Sequence, residues 1–437
     1  MYVAVDPLAN NNKFWRYERY DQPITEKGET GDLKIIWGRV GIDNPESQLR
    51  TYDERWLASK VKSKLRGKKD GPPYTECQVL DAGAPAAAPK SIAKEQVKKL
   101  AVEEIAGGCP ITAALVKKLA EANRHELVAA TGGKMDIDLE TGMVRTALGV
   151  VTSSNVKEAR KLLDDMAPYV TKHDTENKRF IGMLGQYLRL VPQDPGRRVG
   201  WHNTFVNLQA QTQLLDQLEA SVELAEQRMQ DAISGANRDK AEEKKPAVFN
   251  VKLKPVTDEK LTERIKRMYS TSGSRGHESS RLKPVRVYEV EIPHMAAAFH
   301  ADGEKVGNVK LLWHGTRMFN VLSILKRGFV LPHQLSTVQT TGAMYGPGLY
   351  FSANSTKSLN YSYGYWDGGR RDSNCYMFLV DVAMGREYIP TYGGNGKKPG
   401  YDSCWAKPGQ SGVINDEQIV YRTSQANIRY LVEFNEN

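Results

Sequence analysis

Two polar, small-residue stretches limit what this 437-residue chain can fold into. The run DAGAPAAAPKS at 81–91 has no large apolar side chain to anchor it, and SGANRDKAEEKKP at 234–246 is polar and charged. Neither can bury enough apolar surface to offset the entropy of ordering its backbone, so both read as linkers, the second also as a frayed helix end. Three segments result, 1–80, 92–233 and 247–437. With 40% hydrophobic and 26% charged residues, the chain has material for two or three separate cores, and an α+β multidomain protein is expected.

Each segment has its own periodicity. In the first, KFWRYERY and LKIIWGRVG are strand-like and TYDERWLASKVKSKL is amphipathic, which predicts a small α+β unit. In the second, Phe205, Leu208, Thr212, Leu215, Leu218, Val222, Ala225 and Met229 recur three or four apart, the spacing of the core-facing stripe of a helix bundle. The third carries short runs, VRVYEVEI (285–292), VKLLWHG (309–315), CYMFLVDVA (375–383) and IRYLVEF (428–434), separated by glycine, proline and asparagine. In the last of these, Ile428, Tyr430, Val432 and Phe434 share one face, so this segment reads as a β-rich domain. Its long glycine- and serine-bearing stretches, 332–348 and 391–413, read as functional loops.

Charge and cysteine usage exclude some classes of function. Cys77, Cys109, Cys375 and Cys404 form no C-x-x-C pair and the eight histidines no ligand-spaced cluster, so neither a zinc site nor a disulfide framework is expected. No run approaches the roughly 20 apolar residues that cross a bilayer, and no secretory leader is expected; both point to a soluble protein of a reducing compartment. The net charge of +9 favours a polyanionic partner. From Arg55 to Lys69 there are seven Lys or Arg and no acid, with Trp37 and Arg39 upstream. That patch fits phosphates and a stacked base, or equally a solvated helix face with Trp37 in the core.

A second constellation lies in the third segment. LLWHGTR puts His314 and Gly315 at a strand end, YGPGLYFSANSTKSLNY brackets Ser358 with Tyr350 and Tyr361, and INDEQIVY sets Glu417 at the mouth of a strand. Glycine lets backbone approach a planar carboxamide, serine can bond the same group, and two tyrosines can sandwich a flat heterocycle. A carboxylate can grip a ribose hydroxyl and face a developing oxocarbenium ion. Singly, each residue also has a packing role. His314 alone stays open between core residue, metal ligand, base and hydrogen-bonding group.

Taken together, LLWHGTR, GPGLYFSANSTKSLNY, FLVDVAMG and DEQIVYRTSQANIRYLVEF resemble, in order, the ADP-ribosyltransferase domain of poly(ADP-ribose) polymerases over 285–437. FIGMLGQYLRLVPQDPG and VNLQAQTQLLDQLEASVELA resemble that family's regulatory helical domain. IWGRVG, with NKFWRYERYD before it, resembles its WGR domain. The resemblance implies a small α+β WGR domain at 1–80, an all-α helical bundle at 92–233 and a mainly antiparallel β transferase domain at 247–437. It implies NAD+ as co-substrate, without a metal. His314 would bond the adenosine ribose, Gly315 and Ser358 the carboxamide, Tyr350 and Tyr361 the nicotinamide ring, and Glu417 the nicotinamide ribose, with Thr316 and Asn320 as polar neighbours.

Trp37 and Arg39 would lie at DNA ends or nicks, and the protein would modify itself and other proteins as a monomer. The compartment would be the nucleus of a eukaryote or the cytoplasm of a bacterial or virus-infected cell. The Lys-rich runs at 60–69 and 238–245 serve as localisation signals or as DNA-binding surface equally well. Two departures stand out: Pro347 occupies the place of a frequent lysine in GPGLY, and FNEN replaces the Leu-Trp terminus of members that work with a histone-directed accessory factor. A mono-ADP-ribosyltransferase and a non-catalytic DNA-end-binding protein remain as alternatives.

Overall fold

The structure, a computed structural model, describes residues 2–6, 11–39, 44–67, 74–76, 108–131, 135–137, 144–146, 149–191, 203–204, most of 207–222, 250–331, 344–366, 371–391 and 396–436. Both expected linkers, Cys77, most of the loop at 332–348 and the lysine run at 238–245 lie outside the described residues. The chain divides into two compact units, Met1–Lys90 with Arg124–Asn237, and Ser91–Asn123 with Arg238–Asn437.

The first unit opens with strands β1 (Tyr2–Asp6), β2 (Asn11–Glu26), β3 (Glu29–Arg39) and β4 (Glu46–Arg50), helix α1 (Glu54–Arg66) and β5 (Thr75–Glu76). The strands form one sheet in the order β4-β3-β2-β1-β5. Lys27 and Gly28 join β2 to β3 with φ of 49° and 83°, the left-handed pair that a tight hairpin of matching twist requires. Asp53 caps α1 by accepting from the Trp56 amide at 2.9 Å, and Lys64 and Arg66 sit at the negative end of its dipole. Leu57 of α1 packs on Tyr2, Trp15, Leu33 and Ile35, with Trp37 and Trp56 partly buried against the same cluster.

Helix α2 (Pro110–Ala130) precedes a three-stranded meander of β6 (Met135–Ile137), β7 (Val144–Thr146) and β8 (Gly149–Val150), then α3 (Ser153–Thr171) and α4 (Lys178–Leu190). The stretch 92–233 is therefore not all-α, as its sequence implied. Strands of two or three residues are too short to show an alternation. Of the expected helical stripe, Leu208, Leu215, Leu218 and Val222 are buried and Thr212 is half-buried, with Phe180, Leu184 and Tyr187 of α4 also in the core, while Phe205, Ala225 and Met229 lie outside the described residues. Arg160 of α3 forks onto Asp216 and Glu219, each at 2.8 Å. Residues of α2 up to Asn123 group with the second unit, where the Thr112 hydroxyl donates to Leu253 O at 3.4 Å and Lys118 Nζ lies 3.7 Å from Glu433.

The second unit continues through β9 (Lys252–Pro255), α5 (Glu259–Ser272), β10 (Lys283–Glu291), β11 (Val309–Gly315) and α6 (Met318–Arg327). After these come β12 (Leu349–Phe351), α7 (Ser355–Tyr363), β13 (Asn374–Ala383), β14 (Glu387–Tyr388), β15 (Ser403–Ala406), β16 (Glu417–Val420) and β17 (Ala426–Asn435). One sheet has the order β11-β13-β17-β10-β9, the other β12-β16-β15-β14, and every pairing but β14–β15 is antiparallel. The sheets join where Trp313 and Ser352 exchange backbone hydrogen bonds of 3.0 and 3.1 Å. The four strand-like runs of the sequence fall on β10, β11, β13 and β17. The stretch 391–413, read as loop, contains β15, whose pairing with β14 and β16 supplies the order that its short pattern does not advertise. Trp313, Tyr269, Leu359, Leu379, Val432 and Phe434 share the core between the first sheet, α5 and α7.

Candidate active site

Strand β11 ends at His314 and Gly315, paired with Phe378 and Met377 of β13. The imidazole lies edge-on to Phe329, with centroids 4.8 Å apart, and tilted to Phe351 at 5.6 Å. His314 Nδ1 is 2.9 Å from the Tyr350 carbonyl, which can only accept; Nδ1 therefore carries the proton and Nε2 is left as an acceptor. Burial holds the imidazole below its usual pKa, against the opposing pull of that carbonyl, so the ring is neutral at physiological pH.

Gly315 is required by contact. A Cβ built there would sit 1.7 Å from the Ser358 carbonyl oxygen, because α7 lies directly on the strand end. The next residue continues the docking: the Thr316 amide donates to Ser362 Oγ at 3.1 Å, and its hydroxyl accepts from Asn320 Nδ2 at 3.3 Å. Thr316 and Asn320 are thus bonded to each other. Asn354 caps α7 through the Lys357 amide at 3.0 Å, and Gly364 ends it in the left-handed region at φ 86°. Buried Ser358 directs its hydroxyl to the Trp313 carbonyl at 3.3 Å.

Tyr350 holds the turn before it, accepting from the Tyr345 amide at 3.0 Å and donating to Gly346 O at 2.8 Å. Its glycine–proline–glycine turn leaves no room for a larger residue at 348, where a Cβ would meet Ile419 Cγ2 at 2.4 Å. Glu417, first residue of β16, accepts from Lys357 Nζ at 2.8 Å, with side-chain exposures of 15% and 12% that keep the pair largely out of water. Lys357 also donates to Asp416 O at 2.9 Å. Burial lowers the Lys357 pKa while Glu417 and Asp416 pull it back up. Asp416 is fixed by Ser352 Oγ and Gln418 Nε2, both at 2.9 Å.

The same carboxylate reaches both tyrosines. Burial, then the charge of Glu417, pushes the Tyr361 phenol up to about 12, and burial with a lesser contribution from Glu417 raises Tyr350. His314, Tyr350, Tyr361 and Glu417, separated by up to 103 positions, therefore converge on one place. Trp37 and Arg39 lie in the other unit, the tryptophan half-buried on its core and the arginine exposed. Lys357 was not anticipated from sequence. Its position four residues before Tyr361, on the same face of α7, is the signal that could have found it. Phe329 and Phe351, which wall in the imidazole, had no signal beyond hydrophobicity. No group of three or more histidine, cysteine, aspartate or glutamate residues suited to a metal occurs among the described residues, nor does a helix long and apolar enough to cross a membrane.

Residues 262–411 match the model of the poly(ADP-ribose) polymerase catalytic domain, which makes this part of the chain an NAD+-using ADP-ribosyltransferase domain. The putative poly [ADP-ribose] polymerase-like 100L of Invertebrate iridescent virus 6 is 34% identical over 134 residues, 28% of this chain and 69% of that protein. The protein mono-ADP-ribosyltransferase PARP3 of Mus musculus is 23% identical over 479 aligned positions, covering 97% of this chain and 85% of its own. Poly [ADP-ribose] polymerase 1 of Gallus gallus is 24% identical over 343, covering 70% of this chain and 32% of its own. The chain belongs to the poly(ADP-ribose) polymerase family. It spans less than a third of the length of several curated relatives that it matches, 32% in the chicken polymerase.

Proposed function

We propose that the protein transfers ADP-ribose from NAD+ to itself and to other proteins, releases nicotinamide, and extends the adduct into polymer when its WGR region meets a DNA end or nick. The observation that carries this reading is the convergence of Tyr350, Tyr361 and the Lys357-held Glu417 beside His314. His314 Nε2 accepts from a hydroxyl of the adenosine ribose. The backbone of Gly315 and the Ser358 hydroxyl take the carboxamide, Tyr361 and Tyr350 flank the nicotinamide ring, and Thr316 and Asn320 brace that wall.

As the C1′–nitrogen bond breaks, both electrons leave with nicotinamide and positive charge grows on the ribose. Glu417 holds the 2′-hydroxyl and faces that charge; an acceptor hydroxyl then adds at C1′ and gives up its proton. The step draws on placement and electrostatics around a leaving group that is already cationic. DNA ends are the partner proposed for Arg39, Trp37 and the lysines of α1. The protein acts as a monomer, in the nucleus if its source is a eukaryote and in the cytoplasm if bacterial or viral, in the response to DNA damage. The helical region limits access to NAD+ until DNA is bound.

A mono-transferase is the second reading, favoured by the name of the mouse relative that aligns with 97% of this chain. One assay separates the readings: purified protein, NAD+ and nicked DNA, with nicotinamide release and product mass as readouts. A high-mass smear that needs DNA supports polymer formation, and a single discrete band supports mono-transfer. Absence of nicotinamide release would leave only a DNA-end-binding protein.

A further inference from the structure

Glu417 opens its strand, and the backbone that brings it there is weakly held by the sheet. On one side it pairs with Ala406 of β15, but the ladder to β12 stops at Gln418 opposite Phe351, one residue short of Glu417. The segment leading in is irregular, with Gly412 in the left-handed region at φ 72° and Ile414 92% exposed. A carboxylate that must face a developing charge needs its backbone set more firmly than that.

Asp416 supplies the missing hold. The buried Ser352 hydroxyl lies 2.9 Å from both Asp416 O and Oδ1, while the Ala353 amide and Gln418 Nε2 donate to Oδ2 at 3.3 and 2.9 Å. Every group around the carboxylate donates to it, which suits a side chain that only accepts. Ser352 is in turn a junction. Its backbone exchanges hydrogen bonds with Trp313, the residue before His314, and its Oγ accepts from the Asn354 amide at 3.0 Å, where α7 is capped. The Ser352–Asp416 contact thereby joins three pieces: the strand end carrying His314, the helix carrying Lys357 and Tyr361, and the strand that begins with Glu417.

We infer that Asp416 is a positioning residue, which through Ser352 and Gln418 sets the Glu417 carboxylate for the transfer step; this rests on the role proposed above for Glu417. The test uses the full chain and reads kcat and KM for nicotinamide release from NAD+, with melting temperature alongside. Asp416→Ala should lower kcat by roughly 10- to 100-fold, the scale of a small misplacement of a reacting group. KM should change little, because Glu417 is engaged more strongly in the transition state than in the bound substrate. Asp416→Asn keeps an acceptor for Ser352, and a turned Gln418 amide can accept from its NH2, so it should retain most of the turnover. Ser352→Ala, which leaves the carboxylate in place, should lower kcat in the same direction. In a Glu417→Gln background, Asp416→Ala should add no further loss, since it acts through the group already removed. Wild-type kcat in Asp416→Ala would overturn the inference, and so would an equal fold loss with and without Glu417. A loss in Asp416→Asn as large as in Asp416→Ala would overturn it too, by making charge and not hydrogen bonding the cause. If Asp416→Ala does not fold, Ser352→Ala in the two backgrounds decides by the same outcomes. Wild-type turnover in Glu417→Gln alone defeats the role of Glu417, a result read separately from the Asp416 and Ser352 variants.

Discussion

Glu417 and Lys357 hold each other in place, and the asymmetry between them can be measured. Burial already inclines Lys357 to lose its proton, so Glu417→Gln lets the amine go neutral and limits the loss of stability. The reverse change, Lys357→Met, strands a largely buried carboxylate and should destabilise the protein by about 2–3 kcal/mol in urea unfolding, at the lower end for a broken buried pair because both groups keep some water. On activity the order inverts. Glu417→Gln should reduce NAD+ turnover by about 10²–10³-fold and abolish polymer, the scale of removing one charge-stabilising group from a transition state. Equal unfolding midpoints for the two variants would contradict this account.

His314 gives a pH signature. Its folded-state pKa is depressed by burial, so below the ordinary histidine value, about 6.5, the unfolded chain takes up a proton that the folded one refuses. Stability is therefore intact above that value and falls as the pH drops towards the folded-state pKa. Melting temperature should decline from pH 7.5 to 5.5, and less so in His314→Gln. His277 is depressed too, by burial and then by the charge of Lys357, so the variant should reduce the slope and not remove it.

At the scale of elements, α1 and β3 divide two tasks that sequence could not separate. Trp37 is half-buried on the core under α1 while Arg39 is exposed at the end of β3, and Arg55, Lys60, Lys62 and Arg66 are exposed on α1. If Arg39 meets a phosphate as proposed, Arg39→Ala should weaken DNA-end binding and lower the slope of log affinity against log salt by about 1. Trp37→Ala should cost stability as well. A melting temperature unchanged in Trp37→Ala would show that the indole carries no packing role. On α7, one helix serves three ends: its cap fixes Lys357, its backbone abuts Gly315, and its outer turn presents Tyr361.

For the whole molecule, the boundary of the catalytic unit falls inside α2, between Asn123 and Arg124. Residues of α2 up to Asn123 belong with the catalytic unit, through Thr112 on Leu253 and Lys118 beside Glu433. A deletion that tests inhibition should therefore remove 124–233 and spare that part of α2. It is expected to raise nicotinamide release in the absence of DNA. A deletion from 92 onwards should also lower the melting temperature of the catalytic unit. Basal turnover that stays the same after the shorter deletion would rule out a blocking role.

Much of the strand pattern can be read from the residues alone. Runs of alternating or β-branched residues marked β2, β3, β10, β11, β13 and β17, because each has a face that must be buried, and the motifs put forward His314, Tyr350, Ser358, Tyr361 and Glu417 as candidates. Elements with no periodic face stayed hidden: β6 to β8 span two or three residues each, and β15 is ordered by strands from elsewhere in the chain. That His314 is a neutral acceptor, that Gly315 must be glycine and that Lys357 faces Glu417 emerge only from the folded chain. Those are consequences of one strand end meeting one helix across a distance in sequence, and local spacing carries no record of them.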